Sequence, residues 1–139
     1  MKEGFVLALD VGEKRIGLAK ADSKTGMAFP FRTLENDESF QSKLREIINN
    51  EKIVILVVGL PRGMDGQETK QTAYARDFAK NLNDVGLPIH LQDEAGTSVQ
   101  ARQELEDKGQ PFEKGDIDAL AATYILQDFL DNNIKRTTE

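Results

Sequence analysis

The sequence predicts an α/β fold in which a mixed five-stranded sheet carries helices on both faces. Three observations predict it. The runs Phe5–Asp10 and Ile53–Val58 are apolar at nearly every position, so both faces of these strands are covered and they lie centrally. Three strand candidates near the N-terminus follow one another through short turns, which is the pattern of an antiparallel meander. Beyond them the hydrophobic period lengthens and helices alternate with strands, as parallel crossovers require.

Each element has a local reason. Strand one covers Phe5–Asp10, and Gly12 with Glu13-Lys14 makes the turn after it. Arg15–Lys20 continues as strand two, with Ile16 and Leu18 on one face. Gly26 opens a third strand, Met27–Thr33, which Pro30 assigns to a sheet edge because proline cannot donate to a ladder. Phe40, Leu44, Ile47 and Ile48 recur at helical spacing and predict a helix over Asp37–Asn50. Ile53–Val58 is the fourth strand and Gly59–Gln67 a loop rich in glycine and proline. Ala75, Phe78, Ala79 and Leu82 mark a helix over Glu68–Asn83, and Pro88–Gln92 is a short strand with Ile89 and Leu91 inward. Thr97 with Gln100 resembles a capping box opening a helix that stops at Gly109, with a thin stripe of Val99 and Leu105. A last helix covers Ile117–Asp131. The order β-β-β-α-β-α-β-α-α is the ribonuclease H-like arrangement.

Composition bounds the chemistry. A chain of 139 residues makes one domain, 1–139. A domain of this size buries roughly 68–70% of its unfolded surface and needs no staple. It has no cysteine and a single histidine, His90, which excludes thiolate and double-histidine metal sites. His90 alternates away from Ile89 and Leu91 and reads as structural or surface. The apolar runs are too short to span a bilayer, so the chain reads as soluble and untargeted, with no membrane partner, and the lack of cysteine fits a reducing, cytoplasmic setting. A formal net charge of −6 argues against coating nucleic acid through bulk charge, and leaves a nuclease possible because its own metal-binding acids add negative charge.

Three carboxylates stand out. Asp10 ends an apolar strand, where lost hydration costs several kcal/mol unless a hydrogen-bond network, a basic side chain or a metal ion compensates. The plain alternative is a turn residue bonding amides near Gly12. Asp93-Glu94 follows the strand ending at Gln92, at the carboxyl end where open α/β sheets place ligands. Its plain alternative is a solvated acidic pair favoured by the dipole of the next helix. Asp118, Ala121, Ala122, Ile125 and Phe129 share one helical face, so this carboxylate lies on the stripe that packs on the sheet. A dipole-capping role suits Asp116 better, since it precedes the helix and faces off the stripe. In the predicted fold Asp10, Glu94 and Asp118 converge. Unpaired they repel, and hard cations such as Mg²⁺ or Mn²⁺ relieve the repulsion through oxygen ligands. Two such ions about 3.5–4 Å apart serve phosphodiester hydrolysis.

Four segments in order closely resemble the YqgF (RuvX) family. They are Leu7–Gly17, Val57–Pro61 with Met64-Asp65-Gly66, Asp93-Glu94 with Thr97-Ser98, and Ile117-Asp118 with Ala121-Ala122 and Ile125-Leu126-Gln127. The resemblance covers nearly the whole chain. It implies a ribonuclease H-like nuclease of the bacterial cytoplasm that matures the 5′ end of pre-16S rRNA. It also implies a kinship with RuvC, from which Holliday junction resolution is expected as an alternative. The family's acidic positions fall on Asp10, Glu94 and Asp118, as catalytic and metal-binding residues for Mg²⁺ or Mn²⁺. One departure stands beside them: where the family usually has Arg-Leu, this chain has Ala95-Gly96, which removes a phosphate or carboxylate partner and loosens the helix entry.

Lys14, Arg15, Arg62, Lys70 and Lys114 are the phosphate-binding candidates, with Arg76 beside them; solvated surface positions are the plain alternative. Gly59–Gly66 precedes a helix N-terminus whose free amides suit a phosphate, though it is not a Walker A loop. Phe40, Phe78 and Phe129 fit core stripes better than base-stacking platforms. The expected partner is therefore nucleic acid: structured RNA first, branched DNA second, with the protein a monomer or a homodimer. A non-catalytic nucleic-acid-binding module is the rival from another class, kept open by Ala95-Gly96. A nucleotide-phosphate binder of the actin-like ATPase type ranks low, because the chain is too short for two lobes.

Overall fold

A computed structural model describes residues 3–133, so both ends of the expected 1–139 domain lie outside the described residues. Five strands form one sheet: β1 Phe5–Val11, β2 Arg15–Asp22, β3 Ala28–Glu35, β4 Ile53–Pro61 and β5 Ile89–Glu94. Their order across the sheet is β3-β2-β1-β4-β5. β1 pairs antiparallel with β2 and parallel with β4, so it is central as its continuous apolar run requires. Pro30 lies on the edge strand β3, next to a register shift that leaves Phe31 unmatched.

Alternation along β1 divides the core in two. Leu7, Leu9 and Val11 join Ile16, Leu18, Leu56 and Val58 on one face. There α1 (Phe40–Asn50) covers them with Phe40, Leu44 and Ile47, and α2 (Lys70–Lys80) with Ala79. Val6 and Ala8 join Ala19, Ala21 and Val57 on the other, under Ala122, Ile125, Leu126 and Phe129 of α4 (Lys114–Asn133). α3 (Thr97–Lys108) does not reach the sheet in this layer. It packs Ala101 and Leu105 on Ile117, Leu120 and Ala121 of α4. α4 is therefore sandwiched, and its buried residues exceed the single stripe read from sequence, with Ile117, Ala119, Leu120, Leu126 and Leu130 added.

Several boundaries differ from the sequence expectation. β4 runs on through Gly59-Leu60-Pro61, and β5 through Asp93-Glu94, because the two pair with each other to their ends. The loop thus begins at Arg62. The helix expected over Glu68–Asn83 is capped at Thr69 and ends at Lys80, followed by a 3-10 turn over Asn83–Val85. Leu91 is 42% exposed rather than inward, since β5 is an edge strand and the helices on that face cover it only near Ile89. Val99 is 75% exposed; the buried stripe of α3 is Thr97, Ala101 and Leu105, four residues apart.

Candidate active site

Two parallel strands and one helix deliver the three acids. Asp10 follows Val6 and Ala8 on the α4 face of β1. Glu94 falls on the same face of β5 after His90, whose ring packs on Phe129 of α4 at 5.2 Å. Asp118 comes from the second turn of α4. The helix can approach there because residue 17 is glycine. A Cβ on Gly17 would run into the backbone at Asp118 and Ala119. Gly17 is also the ladder partner of Asp10, so the close approach sets helix and strand acids side by side. Gly59 does the same for Glu94: a Cβ there would sit 3.1 Å from Oε2 of Glu94 and 2.6 Å from Ile125.

The electrostatics follow from that placement. Burial, then the charge of Glu94, then that of Asp118 push the Asp10 carboxyl up to about 8. Burial pushes Glu94 up to about 7, while a hydrogen bond from Thr97 pulls it the other way. The two carboxyls titrate as a pair, and the charge of Glu94 opposes ionisation of Asp10. Among the described residues no hydrogen-bond donor or basic side chain meets the Asp10 carboxylate. A desolvated acid pair without a cation is an arrangement that hard divalent ions complete.

Two contacts of the acids escaped the sequence reading. Arg15 Nε lies 2.6 Å from Asp118 Oδ2, an ion pair spanning 103 residues of sequence that no local rule could find. That bond, and the charge of Asp118, raise the Arg15 guanidinium above its ordinary value. Thr97 donates its hydroxyl to Glu94 Oε2 at 3.1 Å. It is not a capping residue: Gly96, with φ of 68°, stands at the N-cap of α3 without a side-chain bond. The capping box lies on α2 instead, between Thr69 and Thr72. Asp116 accepts the N–H of Glu113 at 2.9 Å; it serves the helix start from inside the first turn rather than ahead of it, because α4 begins at Lys114 and not at Ile117. With Arg15 on Asp118, no three acidic side chains among the described residues are placed to close on one ion together.

The basic candidates disperse. Lys14 and Arg15 line a cleft of about 330 Å³ with Gly12, Gln71 and Asp118. Arg62 borders Glu94 in a second cleft of about 550 Å³, with Ala95, Asp128 and the exposed Met64. Its guanidinium is engaged by Asp93 at 2.9 Å and Glu68 at 3.7 Å, and Arg76 meets the same Glu68 at 3.0 Å. Lys70 and Lys114 open α2 and α4 as exposed first residues, and border neither cleft. At the α2 N-terminus one amide is already taken, by the Thr69 hydroxyl. No described helix is long and apolar enough to cross a membrane.

Comparison with known proteins bears on the family and the fold. A Maridesulfovibrio salexigens protein named "Putative pre-16S rRNA nuclease" is 42% identical over 130 residues, covering 90% of this chain and 96% of that one. A Pectobacterium carotovorum protein of the same name is 36% identical over 136 residues, covering 94% and 98%. Among solved structures, Thermus thermophilus RuvC in complex with a Holliday junction substrate superposes with a TM-score of 0.56 at 14% identity, covering 94% of this chain and 96% of that one. Fowlpox virus resolvase with its junction DNA gives 0.51 at 10% identity, covering 94% and 99%. These two likenesses show the fold, which is ribonuclease H-like. The family model described as "RuvX: Holliday junction resolvase" matches residues 4–132, nearly everything described, and the chain belongs to that family.

Proposed function

We propose that this chain is a single-domain, cytoplasmic, metal-dependent endonuclease that hydrolyses phosphodiester bonds of structured RNA, with the 5′ end of pre-16S rRNA as its substrate. The observation that carries the reading is the desolvated pair Asp10 and Glu94, with Asp118 beside it, at the carboxyl ends of β1 and β5. The names of the relatives support pre-16S rRNA as the substrate, and family membership supports nuclease chemistry.

The donor set fits Mg²⁺ or Mn²⁺. It offers carboxylate oxygens only, it contains two acids that resist ionisation without a cation, and Gly59 keeps the space before Glu94 open. When bound, a divalent ion supplies charge for the phosphoryl oxygens and lowers the pKa of water. The chain's own residues do the rest. Asp10 and Glu94 would exchange their protons for the ion and present oxygens from the ends of β1 and β5. Thr97 fixes the Glu94 carboxylate by its hydroxyl. Asp118 would add a third set of oxygens from α4 once released by Arg15, and Lys14 would meet the backbone phosphates beside it.

The test compares wild type with Asp10→Asn on 5′-extended 16S RNA and on four-way DNA, with Mg²⁺ or Mn²⁺. Cleavage of the RNA by wild type and not by the variant is the expected result. Equal cleavage by both would remove Asp10 from the chemistry. Symmetric nicking of four-way DNA by a homodimer, with the RNA left intact, would move the reading to a junction resolvase, which the family's description favours. Binding of RNA without any cleavage would make the chain a non-catalytic module.

A further inference from the structure

We propose that Arg15 is a positioning residue that holds Asp118 while the site is free of metal and yields it to a divalent ion. The inference rests on the metal-dependent reading above. Of the three acids, Asp118 alone is paired with a basic side chain. The pairing is built by the fold at both ends. Arg15 begins β2, where it is laddered to Glu35, and it alternates with Gly17, Ala19 and Ala21 on the face that α4 covers. Asp118 is fixed opposite by the contact of α4 with Gly17. The Asp118 side chain is 19% exposed and that of Arg15 33%, so the bond is partly shielded from water. While it holds, Oδ2 of Asp118 is committed to the guanidinium and is not free for an ion at Asp10 and Glu94. The guanidinium has somewhere to go. It borders open clefts on two sides, one with Gln71 and Asp118, the other of about 400 Å³ with Thr33, Glu35 and Glu113. Binding an ion is then an exchange in which one cation replaces another on Asp118.

Calorimetric titration with Mn²⁺ tests the exchange on wild type, Arg15→Gln, Asp118→Asn and the double variant. Arg15→Gln is expected to bind Mn²⁺ roughly tenfold tighter, the order of one charge-assisted hydrogen bond removed from the competition. That gain is expected to vanish in the Asp118→Asn background. Unchanged or weaker binding by Arg15→Gln overturns the proposal. So does a gain that persists without the Asp118 charge, because it would report bulk repulsion only. On the unmodified protein, the Arg15 Nε–H resonance is expected to move to that of a free guanidinium on saturation with Mg²⁺; a resonance that stays in place overturns the proposal with no substitution made. Binding that depends on Asp10 but ignores Arg15 sinks the exchange alone. Wild type that binds no Mn²⁺, or Asp10→Asn that binds as well, sinks the metal-dependent reading and the exchange with it.

Discussion

Replacing Asp10 by asparagine should make the metal-free protein more stable above neutral pH while removing its function. Asparagine keeps the shape of the carboxyl and cannot ionise. In the folded chain Asp10 holds its proton up to about 8, against an ordinary value of 3.8. A group whose folded pKa is raised contributes stability in full below the unfolded value and loses it as pH climbs through the folded one. The wild-type unfolding free energy should therefore fall between pH 3.8 and about 8. Roughly four units at about 1.4 kcal/mol each set a ceiling near 6 kcal/mol. Because Asp10 titrates together with Glu94 and the site relaxes, the observed difference should be about 2–4 kcal/mol in favour of Asp10→Asn at about pH 9. For a domain of this size that is a melting temperature about 5–15 °C higher.

The assay is urea and thermal unfolding of both proteins at about pH 5, 7 and 9, with a chelator and then with Mn²⁺. The curves should lie close at the acid end and separate as pH rises. Mn²⁺ at about a hundred times its Kd should return about 2.7 kcal/mol to wild type and nothing to the variant, closing or reversing the gap. Parallel pH profiles in the chelator, or a variant less stable than wild type at about pH 9, would refute the argument that burial and neighbouring charge resist ionisation of Asp10.

Gly17→Ala should cost about 3 kcal/mol or prevent folding, since its methyl meets the α4 backbone at Asp118 rather than a side chain that can turn away; urea unfolding reads the loss. Thr97→Val should cost about 1 kcal/mol and raise Glu94 further, because the hydroxyl that favours its charged form is gone; carbon NMR titration of the carboxyl shows the direction. Leu126→Ala, in the core between α4 and the sheet, should cost about 2–5 kcal/mol in urea unfolding, the range for a large-to-small change at a fully buried site. Arg62→Ala should shift stability by less than about 1 kcal/mol, and less still at high salt, since its acidic partners are well exposed.

How much of this was legible in the sequence depends on the range of the interaction that decides each feature. Strand centrality was legible because two covered faces leave an unbroken apolar run, as in β1 and β4. The inward face of Asp118 was legible because helix phase is local: Asp118 meets the sheet at Gly17, and Ala122, Ile125 and Phe129 keep the same face, while Ala121 of that stripe turns to α3. Strand ends were less so. Gly59 and Pro61 carry loop propensities, yet the ladder to β5 holds them extended, a pairing between residues some thirty positions apart. Thr97 had a local signature, threonine with glutamine three residues on, and the signature misled. What fixed Thr97 was its burial and the carboxylate behind it.

The interaction of longest range is also the one that changes the chemical picture. Sequence places Arg15 one residue past a lysine in a charged turn, where solvation is the ordinary fate of both. Only the antiparallel pairing of β1 with β2 sets residues 15 and 17 under the start of α4, and only a glycine at 17 lets the helix come near enough for Asp118 to meet the guanidinium. The same glycine thus brings the third acid to the site and hands it to a cation already in the chain. A site assembled this way is not three acids awaiting an ion. It is two acids whose ionisation burial opposes and a third already paired with a guanidinium, so under the exchange proposed above its metal affinity would be set as much by how readily Arg15 leaves as by the oxygens themselves.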